Sequence, residues 1–181
     1  MSGGAPRTAL VVVADDAEEA TAPWRRRYNR SAVERLVPAH VTILYPLVPA
    51  APIDDDLLST LRALYSRVAP FGYRLTRVES FPAVAWLAPE PAAPFLQLIA
   101  RTSETFRDLP PYGDPMLDPV PHCTVGVVDA PAGLQPILDE LRAGLAPLLR
   151  IRCEARAATL LEERNDRTWA AHTRFPFEGA A

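Results

Sequence analysis

One short frame, an apolar-flanked His-x-Thr, occurs twice in this 181-residue chain: Ala39-His40-Val41-Thr42-Ile43 and Pro121-His122-Cys123-Thr124-Val125. Each copy opens a run that reads as a β-strand. Side chains alternate faces along a strand, so His40 and Thr42 project together, roughly 6–7 Å apart at ~3.3 Å rise per residue. Val41 and Ile43 turn the other way, into a core. His122 and Thr124 repeat the arrangement, backed by Cys123 and Val125. A helical stripe and two further strands follow each copy, from His40 to Leu87 and again from His122 to Phe177. Phe71 lies 31 positions after His40, and Ile151 lies 29 after His122. A duplicated pattern predicts one domain, residues 1–181, built of two similar lobes with pseudo-repeats at about 40–87 and 122–177. Two such copies about a pseudo-twofold axis bring equivalent histidines face to face across a cleft.

The remaining elements follow from periodicity. Thr8 to Ala14 is a β-branched run and predicts a buried strand; the first motif strand extends from His40 to about Val48. Leu57, Leu58, Leu61, Leu64, Tyr65 and Val68 form a helical stripe, with Asp54 to Asp56 favourable at its start. Tyr73 to Phe81 and Ala83 to Leu87 read as strands joined tightly at Pro82. Phe95, Leu98, Ile99, Thr102 and Phe106 give a second amphipathic helix, with Pro91 and Pro94 near its first turn. Asp108 to Pro121 has no periodicity and holds five prolines, a stiff loop delivering the chain into His122. Leu134, Ile137, Leu138, Leu141, Leu145 and Leu148 make a third helical stripe, which Pro147 ends or kinks. Ile151 to Leu161 and Thr168 to Phe177 read as the last two strands, turned at Glu163 to Arg167.

Charge narrows the partners. The net charge is −3, with 19 Arg and no Lys. A protein that grips long nucleic acid carries a basic face, because phosphate neutralisation supplies most of the affinity. The one dense basic run here is Trp24-Arg25-Arg26-Arg27-Tyr28-Asn29-Arg30. The expected partner is therefore a small nucleotide or a short RNA end, with no long duplex and no membrane. No apolar run reaches the ~18–20 residues that span a bilayer. The start of the chain lacks the features of a secretory signal, and Cys123 and Cys153 alone imply no disulfide framework. A cytoplasmic location is the expectation.

A histidine with a hydroxyl donor beside it suits a phosphate group, one moving a proton and the other holding a non-bridging oxygen. Two such units imply a matched acid and base. On these motifs and this element order, nearly the whole chain resembles the 2H phosphoesterases, the superfamily of 2′-5′ RNA ligase-like proteins and cyclic phosphodiesterases. Val37-Pro38-Ala39-His40-Val41-Thr42-Ile43-Leu44-Tyr45-Pro46 looks especially like the bacterial 2′-5′ RNA ligase-like members. The resemblance implies a bilobal α+β fold, with an antiparallel sheet in each lobe, flanking helices, and both motifs lining the central cleft. It also implies metal-independent hydrolysis of 2′,3′-cyclic or 2′-5′ phosphodiesters, with no cofactor. By position, His40 and His122 become the catalytic pair, and Thr42 and Thr124 the phosphate-binding residues. Tyr112, in the loop before His122, is a possible base-stacking contact; Arg27 and Arg30 are possible phosphate contacts.

Rival readings are weaker. A Cys123–His122 nucleophilic dyad fails because neighbours in a strand face opposite sides. Histidines 82 positions apart lack the spacing of a zinc site. His172 lacks the motif frame and reads as a surface or sheet-edge residue, and Tyr45, on the side opposite Thr42, reads as packing. The serious alternative is a binding module that holds a nucleotide or RNA terminus without turnover. Ligation, the reverse of hydrolysis, ranks last because no energy-coupling motif is present.

Overall fold

The computed structural model describes residues 7–47, 53–109 and 118–180. The elements run β1 (Thr8–Val13), α1 (Asp15–Tyr28), α2 (Arg30–Glu34), β2 (His40–Leu44), α3 (Asp55–Tyr65), β3 (Phe71–Phe81), β4 (Val84–Glu90), α4 (Ala93–Thr105), β5 (Cys123–Val127), α5 (Leu134–Leu145), β6 (Ile151–Ala155), β7 (Ala157–Glu163) and β8 (Trp169–Pro176). Local chemistry accounts for the helices. Asp54 caps α3, its side chain accepting the Leu57 N–H at 2.8 Å. Asp15, Asp16 and Glu18 begin α1 and Arg25, Arg26 and Arg27 end it, each sign complementing the helix dipole. The apolar stripes of α3, α4 and α5 bury Leu61 and Tyr65, Phe95, Leu98 and Ile99, and Leu138, Leu141 and Leu145.

The strands do not form the expected two sheets. They make one eight-stranded sheet in the order β6-β3-β4-β5-β2-β1-β7-β8, antiparallel at every pairing. The two motif strands are the cause: β2 and β5 pair at the centre, Val41 opposite Cys123, with three strands on either side of the pair. The sheet also interleaves the two halves of the chain, with β4 beside β5, β3 beside β6 and β7 beside β1.

The run Ile151 to Leu161, expected as one strand, is broken at Arg156 into β6 and β7. β6 pairs with β3 at one edge of the sheet, whereas β7 pairs with β1 on the other flank. One residue separates the two strands, and consecutive Cα atoms are 3.8 Å apart. The sheet therefore curls until its flanks nearly meet. Aromatic rings pack across that seam: Phe71 of β3 stacks with Phe177 at 6.2 Å, and Tyr65 of α3 meets Phe175 and Phe177 at 6.1 Å each.

Helices cover one face of the sheet, where Leu10, Val12, Val41 and Cys123 join the main core. The opposite face carries a small second cluster of Ala9, Val11, Leu161 and Trp169. This second face is the floor of a groove.

Candidate active site

Because β2 and β5 are antiparallel with Val41 opposite Cys123, the register sets His40 across from Thr124 and Thr42 across from His122. Val41 and Cys123 are fully buried, so the four motif side chains share the other face. Directly opposed residues have Cβ atoms ≈ 4.5–5.5 Å apart and diagonal ones roughly 7–8 Å. The histidines occupy a diagonal, a separation that lets two imidazoles address one phosphoryl group from different sides. Each histidine thus sits near its own threonine along the strand and the other motif's threonine across it.

Both imidazoles are anchored alike. His40 Nδ1–H donates to the carbonyl of Pro38 at 2.8 Å, and His122 Nδ1–H donates to that of Val120 at 2.7 Å. A carbonyl only accepts, so Nδ1 carries the proton and the neutral ring presents its Nε2 lone pair. Burial lowers both imidazoles below the ordinary value of 6.5. The carbonyl bonds oppose that shift, whereas the charges of Arg25 and His122 lower His40 further. His122 is instead enclosed by aromatic rings, Phe81 edge-on at 5.0 Å and Trp86 at 5.9 Å.

Arg25 is the concealed support of the first motif. It is buried, donates through Nη1 to Glu18 at 2.8 and 2.9 Å, and donates through Nη2 to the Val37 carbonyl. Glu18 in turn accepts the Ala39 N–H at 2.9 Å. The pair thus holds residues 37–39, the approach to His40, against α1. The basic run in which Arg25 lies gave no sign that one member turns inward.

The histidines open onto a cavity of about 350 Å³, within the size range of small-molecule sites. Its lining includes His40, Thr42 and His122 together with Arg7, Arg35, Tyr45 and Trp169. Thr124 does not line it. Tyr112 lies outside the described residues. Arg27 and Arg30 are turned elsewhere: Arg27 pairs with Glu140 of α5 at 3.0 Å and lies over the Tyr28 ring, and exposed Arg30 pairs with Glu34 at 2.6 Å. The groove's cations are Arg7 and Arg35, which the sequence reading did not single out.

Tyr45 corrects a parity argument. In the β1–β2 register Val11 faces Thr42 but Leu10 faces Leu44, so β2 carries one extra residue between them. That bulge reverses the alternation beyond Thr42 and turns Tyr45 into the groove. Its hydroxyl accepts from Arg7 Nη1 at 3.2 Å. His172 does lie exposed on β8, the edge strand. Cys123 is fully buried, and burial pushes its thiol up to about 12, so it supplies no thiolate. Among the described residues no cluster of three or more His, Cys, Asp or Glu could hold a metal ion, and no helix is long and apolar enough to cross a membrane.

Comparison with known proteins gives a family and a shared fold. The family pattern described as the 2′-5′ RNA ligase superfamily matches residues 13–167. Among solved structures, E. coli LigT complexed with 3′-AMP superposes with a TM-score of 0.66 at 13% identity, over 96% of this chain and 98% of that one. TT0787 of Thermus thermophilus gives 0.60 at 20% identity, over 97% of this chain and 100% of its own. E. coli LigT complexed with ATP gives 0.61 at 16% identity, over 97% and 99%. These likenesses establish a shared fold. No curated protein matches the chain.

Proposed function

Because the chain belongs to the 2′-5′ RNA ligase superfamily of 2H phosphoesterases, we propose that it hydrolyses 2′,3′-cyclic phosphates or 2′-5′ phosphodiester bonds of nucleotides or short RNA ends, by paired-histidine acid–base chemistry without a metal ion. The observation that carries this reading is the matched anchoring of the imidazoles, each donating Nδ1–H to the carbonyl two residues before it. That bond commits both Nε2 atoms to the substrate side. The solved LigT complexes with 3′-AMP and ATP support a nucleotide as the ligand class.

Opening a cyclic phosphate requires water to attack phosphorus while one ribose oxygen departs. The base takes a water proton as the P–O bond forms, and the acid protonates the leaving oxygen as its P–O bond breaks. We assign His40 as base and His122 as acid. The charge of Arg25 disfavours a proton on His40 and is not among the causes that act on His122, so the proton of the pair falls to His122. Thr42, which lines the cavity, holds a non-bridging oxygen as charge develops there, and Thr124, on the same strand face outside the cavity lining, is the second candidate for that role.

The test is turnover of 2′,3′-cyclic nucleotides and a 2′-5′ dinucleotide in excess chelator. Wild type is run beside His40→Ala and His122→Ala, with the phosphate isomer of each product identified. Each substitution is expected to cost about 10²–10⁴ in rate, the worth of one placed acid or base. Nucleotide binding without turnover in the wild type would instead favour the binding-module reading.

A further inference from the structure

The groove continues past the histidines to an end whose charges the proposed chemistry does not use. There Glu163, only 5% exposed, is ion-paired with three guanidinium groups. Arg7 donates Nε at 2.6 Å and Nη2 at 2.8 Å, Arg35 donates Nη2, and Arg167 Nε lies at 3.1 Å. One carboxylate against three cations leaves this cluster with two positive charges in excess. The Arg7 hydrogen bonds hold the Glu163 carboxyl down at about 2, so the excess persists at every ordinary pH.

The cations are fixed in place. Arg7 is forked onto Glu163, bonded to the Tyr45 hydroxyl at 3.2 Å and stacked over Trp169 at 5.9 Å. Arg35 is held by Glu163 and by the Arg167 carbonyl at 2.9 Å. A network serving stability alone has no reason to face a cavity, yet Arg7 and Arg35 line the same cavity as His40 and His122. Fixed guanidinium groups with surplus charge in a groove are a phosphate-binding arrangement. Val11 pairs with Thr42, and Arg7 lies four residues further along the chain, about 13 Å at 3.3 Å per residue. The anion held there is thus a different group from the one between the histidines.

We propose that Arg7 and Arg35, braced by Glu163, form a second phosphate site, and that the preferred substrate carries a 5′-phosphate besides the phosphodiester at the histidines. This rests on the phosphodiesterase reading for the histidine end of the groove.

The experiment has two readouts. One is calorimetric binding of a nucleoside 3′-monophosphate against the matching 3′,5′-bisphosphate; the other is kcat/KM for a 2′,3′-cyclic nucleotide with and without a 5′-phosphate. The wild type is expected to favour the doubly phosphorylated ligand by roughly tenfold or more, as charge-assisted bonds to one phosphate allow. The preference collapses towards unity in Arg7→Gln and in Arg35→Gln, with thermal melts confirming that each folds. Arg167→Gln removes a Glu163 partner away from the cavity and keeps the preference, an outcome a purely structural network would not give. No preference in the wild type, or one surviving in both Arg7→Gln and Arg35→Gln, overturns the second site. Preferential binding without turnover would sink the phosphodiesterase reading and leave the second site standing; turnover without preference would do the reverse.

Discussion

His122 and Cys123 are neighbours in the chain with opposite places in the fold, and the alternation of a strand separates them. The imidazole faces the groove with its Nδ1–H tied to Val120; the thiol is buried against Val41 and pushed up to about 12. Cys123→Ala should therefore retain activity while losing about 1 kcal/mol of stability from the small void it leaves. Steady-state kinetics beside a thermal melt would check this, and a folded but inactive variant would argue for cysteine chemistry. The histidines were legible because residue identity and strand alternation were enough to place them. Arg7 and Arg35 were not, since their shared partner Glu163 lies 156 and 128 positions away. Arg27 and Arg30 were drawn from a basic run whose local charge density says nothing of which helical face meets the groove.

At the level of elements, the apolar stripes of α3, α4 and α5 were legible because burial is periodic in the sequence. Two backbone irregularities were not, and both shape the site. The extra residue in β2 aims Tyr45 at Arg7, and the break at Arg156 sends β6 and β7 to different flanks. Neither carries a glycine or proline to announce it. A third irregularity closes α2, where Leu36 adopts a left-handed φ of 58° while 61% exposed, between Arg35 and Val37 of the groove. A left-handed backbone costs a branched side chain roughly 1–2 kcal/mol, and Asn tolerates it far better. Leu36→Asn is expected to stabilise the protein by about 0.5–1 kcal/mol, read as a melting-temperature rise of roughly 1–4 °C. A lower melting temperature would show that the turn relies on the leucine side chain instead.

Across the whole molecule, His40, Thr42 and His122 come to line one cavity because β2 and β5 meet at the centre of one curled sheet. The two motif strands were legible; the merging of two expected sheets was not, since it depends on one cross-strand pair between distant segments. The consequence is that the charge of His122 reaches His40 and lowers it further. Burial disfavours the cation on each ring, so under the proposed roles the active form, with His40 neutral and His122 charged, lies on the acid side of 6.5. The pH dependence of kcat/KM for a 2′,3′-cyclic nucleotide, measured on the wild type, His40→Ala and His122→Ala, tests this most directly. The account predicts a bell in the wild type with its maximum below pH 6.5, falling on the acid side as His40 gains a proton and on the alkaline side as His122 loses one. His40→Ala abolishes the acid limb and His122→Ala the alkaline limb, each at a much reduced rate. A wild-type profile that rises steadily through pH 9, or a variant that keeps both limbs at full rate, would contradict the paired-histidine mechanism.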